Sequence, residues 1–73
     1  MRILHIVGAY FSVHFPLNED NLCTVSIRGQ EPRLATIEDV TERFNSIPWV
    51  SGCGGILHSY IFDSETREIN YIE

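Results

Sequence analysis

Residues 36–48 read TIEDVTERFNSIP. Ile37, Val40, Phe44 and Ile47 recur at spacings of three, four and three, one apolar stripe on a helix of about three turns. Thr36 is placed to cap backbone N–H groups. Glu38 and Asp39 lie near the positive end of the helix, and Asp39 makes an approximate capping box with Thr36. Pro48 stops the helix, because it lacks an N–H and restricts Ile47. Glu38, Asp39 and Glu42 fall mostly outside the stripe, on a solvated flank.

Working outward, the flanking segments alternate with period two. Over residues 2–15 Ile3, Val7, Ala9, Phe11, Val13 and Phe15 share one parity, although Leu4, Ile6 and Tyr10 interrupt the other. This reads as one long strand with a bulge or bend at Gly8. Residues 16–21 are a loop by composition. Leu22–Arg28 alternates cleanly, with Cys23, Val25 and Ile27 on one side, and reads as the antiparallel partner of the first strand. After the helix, the glycine-rich Gly52-Cys53-Gly54-Gly55 reads as a flexible joint. Residues 56–62 and 67–72 then form a β-hairpin around a turn at 63–66. The expected fold is α+β: ββαββ, one domain over 1–73, with a four-stranded antiparallel sheet and one helix packed on one face. The open face is expected to carry Leu4, Ile6, Tyr10 and His14, joined by Leu57 and Ile61. An apolar, aromatic outer face reads as a binding or dimer surface.

The chain has 73 residues and a formal net charge of -5, from five arginines, no lysine and ten acidic residues. Scattered arginines in an acidic chain argue against direct nucleic-acid binding and against an anionic membrane surface. A cytoplasmic location is expected. His5 breaks the apolar run at the N-terminus and no small-residue cleavage site follows, so no signal peptide is read there. No stretch approaches the ~20 apolar residues of a membrane-spanning helix.

Four arrangements bear on chemistry. Cys53 lies among glycines with His58 nearby, the ingredients of a nucleophile and base. However, His58 sits within a strand and no acid is placed to orient it, so Cys53 and Cys23 read as small buried thiols, with one bridge between them left open. The histidines and cysteines lack the short paired spacings of a zinc site. His5 and His14, nine residues apart on one straight strand, would lie roughly 30 Å from each other. Gly52–Gly55 follows a helix instead of feeding one, unlike a phosphate loop. The turn and flank carboxylates stay solvated, which is unsuited to hydrolysis. No catalytic residue, metal or cofactor is therefore expected.

What remains is a surface. Three acidic clusters beside exposed aromatic residues suit docking on a basic protein groove, with the charge steering encounter. Trp49, just beyond Pro48, reads first as a plug closing the helix end against the sheet, and second as an interface anchor. The ββαββ order with its acidic balance is similar in outline to small phage and mobile-element proteins that inhibit a host complex, including anti-CRISPR and polymerase-inhibitor types. That likeness implies a non-enzymatic inhibitor or regulator bound to a nucleic-acid-handling complex. Glu38, Asp39, Glu42, Tyr10 and Trp49 are the expected partner-binding residues. The alternative is a self-associating subunit, a homodimer paired through its open sheet face or edge strand.

Overall fold

The computed structural model describes residues 1–72. Its elements are β1 (Arg2–Gly8), β2 (Ser12–Pro16), β3 (Cys23–Val25), β4 (Arg33–Ala35), α1 (Ile37–Asn45), α2 (Pro48–Gly52), β5 (Ile56–Asp63) and β6 (Ile69–Ile72). The fold is α+β. Four strands form one antiparallel sheet in the order β2-β1-β5-β6, and β3 and β4 form a separate two-stranded hairpin. The hairpin and α1 lie against one face of the sheet. There Leu4, Ile6, Leu17, Cys23 and Val40 make the buried core.

The segment read as a single strand is a hairpin. At Gly8 the chain reverses, with the Gly8 N–H donating to the Phe11 carbonyl at 2.9 Å. β1 and β2 then pair with Leu4 opposite Phe15, His5 opposite His14 and Ile6 opposite Val13. Facing partners thus have opposite parity. A turn of this length is invisible to an alternation test, and it exchanges odd for even residues on each face. The expected bulge is also present, as a register shift between Val7 and Gly8 against β5. A side chain at Gly8 would project into the ring of Phe11. That ring stacks on Phe44 with centroids 5.6 Å apart and meets the edge of Trp49 at 5.5 Å. Phe11 therefore ties the first turn to both helices.

Residues 22–28 do not pair with the first strand. β1 has β2 on one edge and β5 on the other, so no edge is free for them. Cys23 pairs instead with Ala35, Thr24 with Leu34 and Val25 with Arg33. The intervening turn uses Gly29 at φ 83° and a bond from the Gln30 N–H to the Ile27 carbonyl at 3.0 Å. Cys23 points inward as read, but the strand ends at Val25, and Ile27 is exposed. β4 has only three residues, Arg33-Leu34-Ala35, too short and too mixed to register as a strand by pattern.

The helix start is as read: the Thr36 hydroxyl accepts the Asp39 N–H at 3.0 Å. Pro48, however, opens a further helix as well as closing one. Ile47 is extended (φ -73°, ψ 124°), as a residue before proline prefers, and Pro48 takes the first position of α2. At the other end of α2, Gly54 and Gly55 adopt φ 94° and 73°, and the Gly55 N–H closes on the Val50 carbonyl at 2.8 Å. The glycine run is therefore a tight helix terminus and not a loose joint.

The C-terminal hairpin pairs Tyr60 with Tyr71 and Phe62 with Ile69. Its turn is organised by the Asp63 carboxylate, which accepts the N–H groups of Glu65 at 2.9 Å and Thr66 at 3.4 Å. The Glu65 N–H above all holds the Asp63 carboxyl below its usual range. Arg67 sits at φ 63°, so the return strand begins at Ile69, two residues later than the sequence pattern implies.

Burial separates two residues that the sequence pattern assigns to one face. Leu4 has no exposed surface, whereas Leu57 is 61% exposed. Leu4→Ala is expected to cost about 2–5 kcal/mol in urea denaturation. Leu57→Ala is expected to stay within about 0.5 kcal/mol of the parent. Equal losses would contradict the burial of Leu4 and the exposure of Leu57.

Candidate functional site

The expected partner-binding residues divide between two places on the helical side. Glu38 and Glu42 stand exposed on successive turns of α1. Asp39 is half-buried and turned to Arg43, with its Oδ2 3.2 Å from the guanidinium Nε. This pair borders an open apolar groove of about 350 Å³, walled by Phe15, Val25, Val40 and Phe44, with Arg33 also on the rim. The free acidic flank is thus Glu38 and Glu42.

Tyr10 occupies the β1–β2 turn and is 83% exposed; Trp49, on the first turn of α2, is 56% exposed. Trp49 is not the plug that its position after Pro48 suggests. The residue that fills that role is Phe11, packed between Phe44 and Trp49. Trp49 braces one side of Phe11 and shows its remaining surface to solvent. Tyr10 is the chain neighbour of Phe11, and Trp49 is its packing neighbour. Glu38 opens α1, whereas Trp49 lies beyond its far end, separated by roughly 10 Å of helix.

The outer sheet face differs from expectation in its membership. Leu4 and Ile6 are fully buried on the inner side, and Ile61 packs on the same core. His14 is outside as expected. The residues that replace the aliphatic ones are rings, contributed by all four strands. His14 and His5 lie 4.2 Å apart between centroids, His5 stacks on Tyr60 at 4.7 Å with the planes 8° apart, and Tyr60 meets Tyr71 at 5.6 Å. Phe62 approaches His5 edge-on at 6.3 Å, and His58 lies 6.1 Å from Tyr60 and 6.0 Å from Tyr71. The hairpin therefore overturns the separation of His5 and His14 inferred from a straight strand. They are direct cross-strand neighbours.

Within this ladder the Nε2 of His5 is buried and has no hydrogen-bond partner among the described residues. Burial, and next the neighbouring His14, push the His5 pKa below 6.5. The His14 ring is held from the other side by the Ser12 hydroxyl at 3.2 Å. Among the described residues, no group of three or more His, Cys, Asp or Glu side chains is arranged to hold a metal ion.

Both cysteines are free. Cys23 is buried as expected, and burial, followed by the charge of Glu38, pushes its thiol pKa up. Cys53 is exposed at the end of α2, contrary to the reading of both thiols as buried. His58 is engaged in the ring ladder with Tyr60 and Tyr71. Among the described residues, no helix is long and apolar enough to cross a membrane.

A histidine whose folded pKa lies below its unfolded value binds its proton more weakly in the folded chain. Stability is therefore full above about pH 6.5 and is lost as the pH falls through the folded pKa of His5. Chemical denaturation at about pH 7.5 and about pH 5.5 is expected to show this loss in the parent and to show a smaller one in His5→Gln. The same loss in both would remove His5 as its source.

No family model matches this sequence, and no curated protein or solved structure is significantly similar to it. The functional reading therefore rests on the residues and their placement.

Proposed function

We propose that this chain is a non-enzymatic protein-binding module that docks on a basic surface of a nucleic-acid-handling complex and acts as its inhibitor or regulator. The observation that carries this reading is the exposure of Trp49, packed against the Phe11 pin, and of Tyr10, next to Phe11 in the chain, on a molecule whose Glu38 and Glu42 face solvent. Large aromatic side chains on a rigid support are the usual anchors of protein interfaces. They bury much area and lose little rotamer freedom. Trp49 and Phe11 support each other, so the indole is oriented before a partner arrives. The carboxylates act differently. At the rim of an interface they add little to affinity but raise the rate of encounter with a cationic partner. A net charge of -5 on so small a chain strengthens that steering. Asp39, held by Arg43, has less charge to offer and contributes chiefly to the rim of the neighbouring groove.

The test is affinity capture with the intact chain from its native host, followed by binding kinetics with the purified partner. Trp49→Ala is expected to weaken binding by about 30-fold, mainly through faster dissociation. Reversing both free carboxylates (Glu38→Lys with Glu42→Lys) is expected to slow association by about tenfold and to flatten its salt dependence. Unchanged kinetics in both variants, with circular dichroism like that of the parent, would overturn the docking reading.

A further inference from the structure

We propose that a second copy of this chain covers the outer sheet face, ring ladder against ring ladder, and that acidification separates the two copies. The proposal concerns the face opposite the helices and does not depend on the docking reading.

Charge distribution identifies the occupant. The four strands of the sheet carry only two charged residues, Arg2 and Asp63. They face each other in register at one end and share the alternation of Leu4, not that of His5. Among the described residues, the side carrying His14, His5, His58, Tyr60, Phe62 and Tyr71 therefore has no formal charge at neutral pH. Among the described residues of that side, a basic partner finds no carboxylate, and a phosphate backbone finds no lysine or arginine. A second copy presents the same uncharged rings, which is the self-complementarity that a two-fold contact requires. The molecule is 17 Å through its thinnest dimension. Stacking sheet to sheet leaves the acidic α1 layers outermost, separated by several Debye lengths of ~10 Å each, so their repulsion is largely screened.

The size of the face sets the strength. Four strands at ~4.8 Å spacing and about six residues at ~3.3 Å span roughly 20 by 20 Å, so two copies bury on the order of 1,000 Å² between them. That lies below the standard range for stable interfaces, and the pair is expected to form at micromolar concentrations. Tyr71, 69% exposed in one copy alone, is the largest exposed ring to be covered.

The same rings supply the pH response. His5 is faced by His14 from β2 and by Tyr60 and Phe62 from β5, with His58 of β5 and Tyr71 of β6 beyond Tyr60. No carboxylate on these strands shares the face to neutralise an imidazolium. Once the pH falls through the lowered pKa of His5, an imidazolium on each copy lies in a desolvated contact, and the pair opens.

Sedimentation analysis across about 10–300 μM tests this directly. At about pH 7.5 the mass is expected to approach twice the 8.4 kDa of one chain, and at about pH 5 to return to one chain. Tyr71→Glu, on an exposed edge strand and verified as folded by circular dichroism, is expected to remain a single copy at both pH values. His5→Gln with His14→Gln is expected to pair with much less pH dependence. The Glu38→Lys, Glu42→Lys variant is expected to pair like the parent, which keeps this test separate from that of docking. A single-copy mass at about pH 7.5 throughout the range, or a Tyr71→Glu variant that still pairs, would overturn the proposal; pairing that is equally strong at about pH 5 would overturn its imidazole part.

Discussion

Burial of Leu4 and Ile6 on the central strand β1 is the constraint on which the rest of this molecule depends. Both are fully buried, and both lie under the hydrophobic side of α1 through Val40. Because strand side chains alternate, committing these two inward sends Ile3, His5 and Val7 outward. Antiparallel pairing on both edges of β1 then transmits the choice to β2 and β5, and β5 passes it to β6. In a chain this short each buried aliphatic side chain, worth ~1.5–3 kcal/mol, is a large share of a net stability of only several kcal/mol. The face assignment is therefore strongly held.

The two sides of the sheet meet different demands. On the inner side, the core is completed by residues brought in from loops and short elements: Leu17, Cys23 and Val40. At one end Phe11 lies over the bare backbone of Gly8 and between Phe44 and Trp49, so the first hairpin and both helices are held by one ring. Tyr10 and Trp49 are left standing beside it, which gives the helical side its anchors. On the outer side none of the described residues covers the sheet. Its rings pack edgewise and face to face against one another, and one imidazole nitrogen of His5 has no partner among the described residues. One side thus offers acidic and aromatic groups, and the other an uncharged ring surface, so the two proposed contacts draw on different residues.

Particular residues show why parts of this arrangement were legible in advance. The Thr36 cap, the 37–44 stripe and the hairpin around Asp63 depend on interactions within a few residues, and local spacing reveals them. The reversal at Gly8 was only half visible. A glycine marks a break, but whether the chain bends or doubles back depends on which strand edge is available. The true partner of residues 23–25 was hidden for a related reason: Arg33–Ala35 has little strand character, and it pairs because β1 has no edge left. Trp49 misled because a large aromatic residue after a proline is an equally good plug or anchor, and Phe11, distant in sequence, already occupied the gap.

By itself, then, the sequence determined the α+β class, the helix with its cap, the four-stranded antiparallel sheet and the acidic balance. These follow from periodicity, local hydrogen bonding and composition, all of which act over short separations. Only the tertiary structure decided which residues face out together. It brought His5 against His14 and Tyr60, moved Leu4 and Ile6 inside, turned Asp39 toward Arg43, and left Cys53 exposed. The physical reason is that face and register follow from turn length and from competition for strand edges, and both are settled only when distant segments meet.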